Sequence, residues 1–405
     1  MGVIATQAGI AVVGYGYWGP NLVRNLVERP EFRLLAVCDR DADRRAEFAR
    51  RYPGIDTEDD FERVLLDPRI DAVSIATPPR THYTLARRAL EAGKHVMVEK
   101  PLATTTADAE DLIALAQERG LTLMPGHTFI YSPPVNKVRD LIQRGDIGET
   151  YFITSSRMNL GIYQADGVIC DLAPHDLSIL LYWLDVPVIR VAATACSVFQ
   201  HDVPETAFLT LGFACGAAAN VQISWLAPRK VRQMVVVGSK RMIHYEDNSA
   251  DESVRIYDRG IDPAPPSNFG EYRLTYRSGD MVAPRIDAAE PLSLELEDFA
   301  RAIRTGEEPR SSARLGLEIV RALEAAEMSL RHGGHPVHVE GGRPQLAVLD
   351  DDVSEHANGT GNGHHASNGH LNGHANGNGS GHYNGNGHAG GDGRARPAIG
   401  TRAGA

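Results

Sequence analysis

The stretch Gly9-Ile10-Ala11-Val12-Val13-Gly14-Tyr15-Gly16-Tyr17-Trp18-Gly19-Pro20-Asn21 constrains this chain more than any other. An apolar run meets a glycine turn, and a helical pattern (Leu22, Val23, Leu26, Val27) begins directly after it. Gly14, Gly16 and Gly19 have the spacing G-x-G-x-x-G. In that pattern the first glycine permits a turn that a Cβ would resist, the second lets the backbone approach a pyrophosphate, and the third lets helix and strand pack closely. The helix start then offers free N–H groups and the positive end of its dipole to the anion. Pro20 suits the first helical turn, where its missing N–H is no loss. A second apolar run, Phe32 to Cys38, ends at Asp39. That is about 20 residues past the turn, where a dinucleotide site places a carboxylate for a ribose hydroxyl.

The strand–helix alternation runs from Gly9 to about Thr128 and implies a doubly wound parallel sheet. Strands are expected near 9–14, 32–38, 72–76, 95–99 and 121–125, with a weak one around 54–57. Helices fit 20–28, 41–51, 59–66, 81–92 and 104–119, with Asp41 and Thr104 as N-caps and Gly93 and Gly120 as C-terminal stops. The strand at 72–76 runs into Thr77-Pro78-Pro79-Arg80-Thr81-His82, and the prolines turn the chain at the carboxyl edge of the sheet, where such sheets bind ligands. The next strand ends at Glu99-Lys100-Pro101 on the same edge. From the residues alone, Lys100 is equally a lysine in the crevice or a solvated lysine at a strand end.

The glycine turn, Asp39, Thr77-Pro78-Pro79 with His82, and Glu99-Lys100-Pro101 occur in one order and at matching intervals. Together they resemble the Gfo/Idh/MocA family of NAD(P)-dependent oxidoreductases, whose signature tripeptide is Glu-Lys-Pro. The resemblance covers about residues 9–335. It implies a Rossmann domain holding the cofactor through Gly14, Tyr15, Gly16, Tyr17, Trp18, Gly19, Asp39, Arg40, Thr77, Pro78, His82, Glu99 and Lys100.

Beyond Gly126-His127-Thr128-Phe129 the alternation stops. A helix fits 133–144, and strand-like runs follow at 149–159, 188–199, 206–214, 217–226, 231–238 and 241–246, which argue for a largely antiparallel sheet. Between the first two lies a helical segment, 167–184, with Asp171 and His175 four apart on one face and Pro174 inside it. The resemblance implies that this Asp-x-x-x-His pair faces the nicotinamide. Residues 250–290 read as a long loop or irregular strands, and helices with apolar stripes fit 291–305 and 312–331. The expected organisation is a short leader (1–8), an α/β Rossmann domain (9–128), and an α+β substrate and oligomerisation domain with a large, mostly antiparallel sheet (129–345). A Gly/Asn/His-rich tail (350–405) closes the chain and is too poor in apolar residues to order itself.

The resemblance implies hydride transfer between a carbinol carbon and nicotinamide. Such chemistry needs a group to take the hydroxyl proton and a site that keeps water out. Lys100 is the first candidate, as base or as a cation beside a developing alkoxide. His175 is the second, and Asp171 either orients it or binds a substrate hydroxyl. A carboxylate at Asp39 favours NAD over NADP, although Arg40 beside it could accommodate a 2′-phosphate. The turn Gly14 to Asn21, with Gly126-His127-Thr128-Phe129 and Arg157-Met158-Asn159-Leu160-Gly161, is similar to members that oxidise nucleotide-linked sugars at the 3-position. That implies UDP-N-acetylglucosamine or its uronic acid as substrate, held by Lys100, His127, Arg157, Asn159, Asp171 and His175. Tyr163 and Gln164 are weaker candidates. Dehydrogenases of free sugars or inositols, NAD-dependent glycoside hydrolases and a non-catalytic NAD- or sugar-binding regulator are the alternatives.

The net charge of −11 argues against a nucleic-acid surface, and no apolar run is long enough to span a membrane. No secretion signal opens the chain, and Cys38, Cys170, Cys196 and Cys215 read as buried free thiols, so a cytoplasmic protein is expected. The tail histidines (His356, His364, His365, His370, His374, His382 and His388) lack fixed ligand spacing, and no metal site is expected. A free sheet face implies a homodimer or homotetramer.

Overall fold

The computed structural model describes residues 7–161, 163–164, 166–199, 203–249, 251–263, 274–340 and 343–346. The expected tail at 350–405 and most of the expected leader lie outside the described residues; Ala8 already belongs to the first strand.

The first half alternates as its apolar periodicity requires. The elements are β1 (Ala8–Val13), α1 (Gly19–Glu28), β2 (Phe32–Cys38), α2 (Ala42–Arg51), β3 (Asp56–Glu58), α3 (Phe61–Leu66), β4 (Ala72–Ile75), α4 (His82–Glu91), β5 (His95–Glu99), α5 (Thr106–Arg119) and β6 (Leu123–Gly126). The strands form one parallel sheet in the order β3-β2-β1-β4-β5-β6. The order reverses at β1, so the crevice at the carboxyl ends of β1 and β4 is the natural ligand site. Caps set the helix limits. Asp41 accepts the amides of Asp43 and Arg44 at the start of α2, and Gly120, in the left-handed region at φ 63°, ends α5. The cap of α5 is Thr105 rather than Thr104, because its hydroxyl accepts the Asp108 amide at 3.1 Å. A short 3-10 turn over Pro79–Thr81 delays α4 to His82.

The second half contains α6 (Pro133–Gln143), β7 (Thr150–Met158), α7 (Gly167–Leu184), β8 (Val188–Cys196), β9 (Thr206–Phe213), β10 (Ala218–Ser224), β11 (Val231–Gly238) and β12 (Met242–Glu246). It continues through β13 (Val254–Pro263), β14 (Leu274–Val282), α8 (Pro291–Thr305), α9 (Ala313–Arg331), β15 (Val337–Glu340) and β16 (Arg343–Leu346). These strands form a ten-stranded sheet, β14-β13-β12-β11-β7-β10-β9-β8-β15-β16, antiparallel except where β7 meets β10. Residues 250–290, expected as loop or irregular strands, supply the paired strands β13 and β14, and β15 and β16 were not anticipated. Their charged, turn-rich sequences carry little apolar alternation, and strand partners supply the order.

Alternate residues of β7, β9 and β10 (Ile153, Leu209, Leu211, Val221, Ile223) face α7 and α9 in one core. Helix α7 is buried over most of its circumference, and Trp183 anchors it by donating its indole N–H to the Val135 carbonyl at 2.9 Å. The expected uniform burial of the cysteines does not hold: Cys38 is buried, but Cys196 and Cys215 are exposed. No helix among the described residues is long and apolar enough to cross a membrane.

Candidate active site

The glycine turn is built as tightly as its spacing requires. Gly14 lies at φ +97°, and a Cβ there would stand 2.6 Å from the Ala76 carbonyl oxygen. A Cβ on Gly19 would stand 2.4 Å from the carbonyl oxygen of Gly14, so both closures exclude side chains. Asp39, at the end of β2, accepts the Tyr15 amide at 2.7 Å on one oxygen and the Asp41 amide at 2.9 Å on the other. The carboxylate thus ties the turn to the second strand. Arg44 lies 3.6 Å from Asp39, whereas Arg40 is exposed. Tyr15 turns into the core against Phe48, leaving only its backbone at the turn, and Tyr17 is exposed. The Trp18 indole N–H is buried without a partner.

The next two strand ends meet the turn from the side. Thr77 bonds to Thr81 through their hydroxyls at 2.7 Å, and Pro78 opens the 3-10 turn. His82, read from sequence as a cofactor contact, is buried. Its ring nitrogens lie 2.8 Å from the carbonyl oxygens of Pro101 and Thr77, so it braces two strand ends and has no nitrogen left for a ligand. Burial lowers its pKa. Glu99 lies against Gly126, and one of its oxygens has no partner. Burial raises its pKa to about 7, although the Lys100 charge and the Lys100 amide pull the other way. Buried, unpartnered polar atoms at Trp18 and Glu99, beside the tight closures at Gly14 and Gly19, fit a polar cofactor.

Helix α7 completes the site. Lys100 donates to the Asp171 carbonyl at 2.7 Å and to Asp171 Oδ1 at 3.0 Å, and Trp225 donates its indole N–H to Asp171 Oδ2 at 3.1 Å. Asp171 therefore orients Lys100, and no hydrogen bond joins it to His175. The His175 ring packs edge-on to Phe129 at 5.0 Å, and its nitrogens make no hydrogen bond with other described residues. Desolvation, then the charges of Lys100, Arg157 and Arg232, hold its pKa well below the ordinary 6.5. It is a neutral imidazole at physiological pH. His127 is buried with both nitrogens unpartnered, and burial followed by Lys100 pushes its pKa down to about 3.

Arg157 is 4 % exposed on its side chain and donates Nε to Asp176 at 2.7 Å, while Ser155 donates to the other Asp176 oxygen at 2.8 Å. Its Nη1 is buried and unpartnered. Asn159 is partly buried where β7 ends, its backbone N–H donating to the Ser224 carbonyl at 3.1 Å. Tyr163 donates to Glu205 at 2.9 Å and packs on Trp225, and Gln164 is exposed. Sequence reasoning missed Trp225 and Glu295. Glu295 is fully buried on α8 and accepts from Thr128 at 2.7 Å. Both come from distant strands or helices, and neither lies in a motif that would flag it.

A Rossmann crevice, a lysine held at a strand end by an aspartate and a neutral histidine one helical turn away define an NAD(P)-binding oxidoreductase. Residues 8–127 match the family model described as oxidoreductase family, NAD-binding Rossmann fold, and residues 135–244 match the Gfo/Idh/MocA C-terminal domain. The chain belongs to the Gfo/Idh/MocA oxidoreductase family. It is 30 % identical to UDP-N-acetylglucosamine 3-dehydrogenase of Acidithiobacillus ferrooxidans over 67 % of this chain and 81 % of that one. The solved structure of the A. ferrooxidans enzyme superposes with a TM-score of 0.68 at 24 % identity, covering 81 % of this chain and 98 % of the other. GenD2 from gentamicin A biosynthesis, solved in complex with NAD, superposes with a TM-score of 0.70 at 24 % identity, covering 84 % and 98 %.

Proposed function

We propose that this chain is an NAD-dependent dehydrogenase that oxidises a sugar carbinol carbon, namely C3 of a UDP-linked N-acetylhexosamine or its uronic acid. The observation that carries the reading is the Lys100–Asp171 pair at the crevice, with neutral His175 one turn along the same helix. Bound there, the nicotinamide supplies the hydride acceptor. Gly14 to Gly19, Asp39, Trp18 and Glu99 would hold the cofactor. Asp39 is already linked to the turn and repels a 2′-phosphate, which supports NAD.

Lys100 lies at the hydroxyl being oxidised. Its cation stabilises developing alkoxide charge, and Asp171 fixes its ammonium from two sides. His175 presents a free nitrogen lone pair that takes the carbinol proton. Phe129 shields one side of the imidazole from water. The similarity to a UDP-N-acetylglucosamine dehydrogenase supports the nucleotide-sugar class. The residues split into a Rossmann domain (9–128) and a substrate domain (129–345) on this reading. The uncovered face of the large sheet, with Phe152 and Phe208 exposed, supports a homodimer or homotetramer.

The test is purified protein with NAD or NADP against sugar nucleotides, free sugars and inositols, following absorbance of the reduced cofactor. Reduction with a UDP-N-acetylhexosamine, and little with inositol, is expected. Absence of reduction with every sugar nucleotide overturns the substrate class.

A further inference from the structure

The surroundings of His175 contain a concentration of positive charge that the reaction does not require. Arg157 on β7 and Arg232 on β11 are directly paired across antiparallel strands. Like charges in that register destabilise a sheet unless something offsets them. Each has one carboxylate: Asp176 at 2.7 Å from Arg157, and Asp247 at 3.0 Å from Arg232. Both guanidinium groups also lie over Phe129, at 4.4 Å and 5.3 Å from its centroid, and His175 packs on the same ring. Phe129 therefore fixes the two arginines beside the catalytic histidine.

Among the described cations of this cluster, Lys230 makes no ion pair. It lies two residues before Arg232, just ahead of the start of β11, and close enough for the Arg232 charge to act on it. It is exposed and makes no side-chain hydrogen bond or ion pair with another described residue. Arg232, followed by partial burial, pushes its ammonium toward neutrality, and Arg157 adds to this against one opposing carboxylate, Asp247. Beyond the Lys100–Asp171 pair, Arg157, Arg232 and Lys230 thus face two carboxylates, Asp176 and Asp247. The cluster holds an excess of positive charge in a chain of net charge −11. The unpartnered Arg157 Nη1, on a side chain only 4 % exposed, lies in the same cluster.

We infer that Lys230 and Arg232 form an anion subsite beside His175, which receives an acidic group of the substrate, either a diphosphate or a sugar carboxylate. This rests on the reading of Lys100 and His175 as the reacting site. The subsite selects anionic sugars over neutral polyols. Lys230 contributes the unbalanced charge, and Arg232, held by Asp247, gives it direction.

The test is calorimetric titration of the NAD-loaded protein with UDP and, separately, with glucuronate, in wild type and Lys230→Met. Arg119→Met, an exposed charge loss on α5, is the control, and Lys230→Arg is the rescue. Lys230→Met should weaken one of the two ligands about tenfold or more, Lys230→Arg should restore it, and the control should match wild type. Loss for UDP identifies a diphosphate site; loss for glucuronate identifies a carboxylate site. Unchanged affinity for both, or an equal loss in Arg119→Met, overturns the subsite. Because this readout needs no turnover, it stays separate from the failure of any sugar to be oxidised.

Discussion

The ammonium of Lys100 lies 3.0 Å from Asp171 Oδ1 and 2.7 Å from the Asp171 backbone oxygen, joining the end of β5 to a helix 71 residues further on. The other carboxylate oxygen is taken by Trp225. Asp171 thus acts on Lys100, not on the histidine four residues beyond it. Lys100→Ala should reduce turnover at least about 100-fold, and His175→Ala should do the same. Asp171→Asn keeps the size and loses the charge, so kcat should fall with little change in cofactor affinity. Steady-state kinetics with the best substrate of the panel measure all three, and a near-normal kcat in Lys100→Ala removes it from the mechanism.

The neutrality of His175 predicts the shape of the pH–rate profile. Its folded pKa is depressed, first by desolvation and then by Lys100, Arg157 and Arg232. The free enzyme therefore holds it unprotonated well below pH 6.5, and kcat/KM should show no acid limb near that pH. A limb at about pH 6.5 that disappears in His175→Asn would contradict the environment described here.

Glu295 links pH to stability. Its pKa is raised well above the ordinary 4.5 by burial and then by Glu99. The folded protein keeps the proton while the unfolded chain loses it near pH 4.5, so this stability contribution is present below that pH and falls as pH rises. Glu99, raised to about 7, acts in the same direction up to that pH. Glu295→Gln keeps an acceptor for Thr128 and cannot ionise. Its Tm should exceed that of wild type at pH 8, and the difference should shrink toward pH 4. Calorimetric scans at the two pH values check this, and a lower Tm at pH 8 refutes it.

Arg157 tests ion pairing against ligand contact. Breaking its pair with Asp176, whose side chain is 2 % exposed, leaves a buried carboxylate uncompensated. Arg157→Met should therefore cost about 3–5 kcal/mol of stability. Urea unfolding reads the loss directly. A stability change below about 1 kcal/mol, with a raised KM instead, would make Arg157 a substrate contact only.

Much of the fold was legible because its signals are local. Gly14, Gly16 and Gly19, the apolar run at Phe32 to Cys38 and the caps at Asp41 and Gly120 each act within a few residues. The Asp171–His175 helix was equally readable, since 3.6-residue periodicity sets which side chains share a face. The hairpin of β13 and β14 was not, because polar strands take their order from partners.

The sequence by itself determined the doubly wound domain, the glycine turn and the identity of Lys100, Asp171 and His175 as candidates. Only the tertiary structure decided what each one touches. Lys100 and Trp225 meet Asp171 across 71 and 54 residues, and Arg157 meets Arg232 through strand register. Such contacts depend on how whole elements pack, and residue spacing along the chain does not encode them. Burial is decided the same way: it lowers the pKa of His175 and raises that of Glu295, because desolvation depends on what surrounds a group in space.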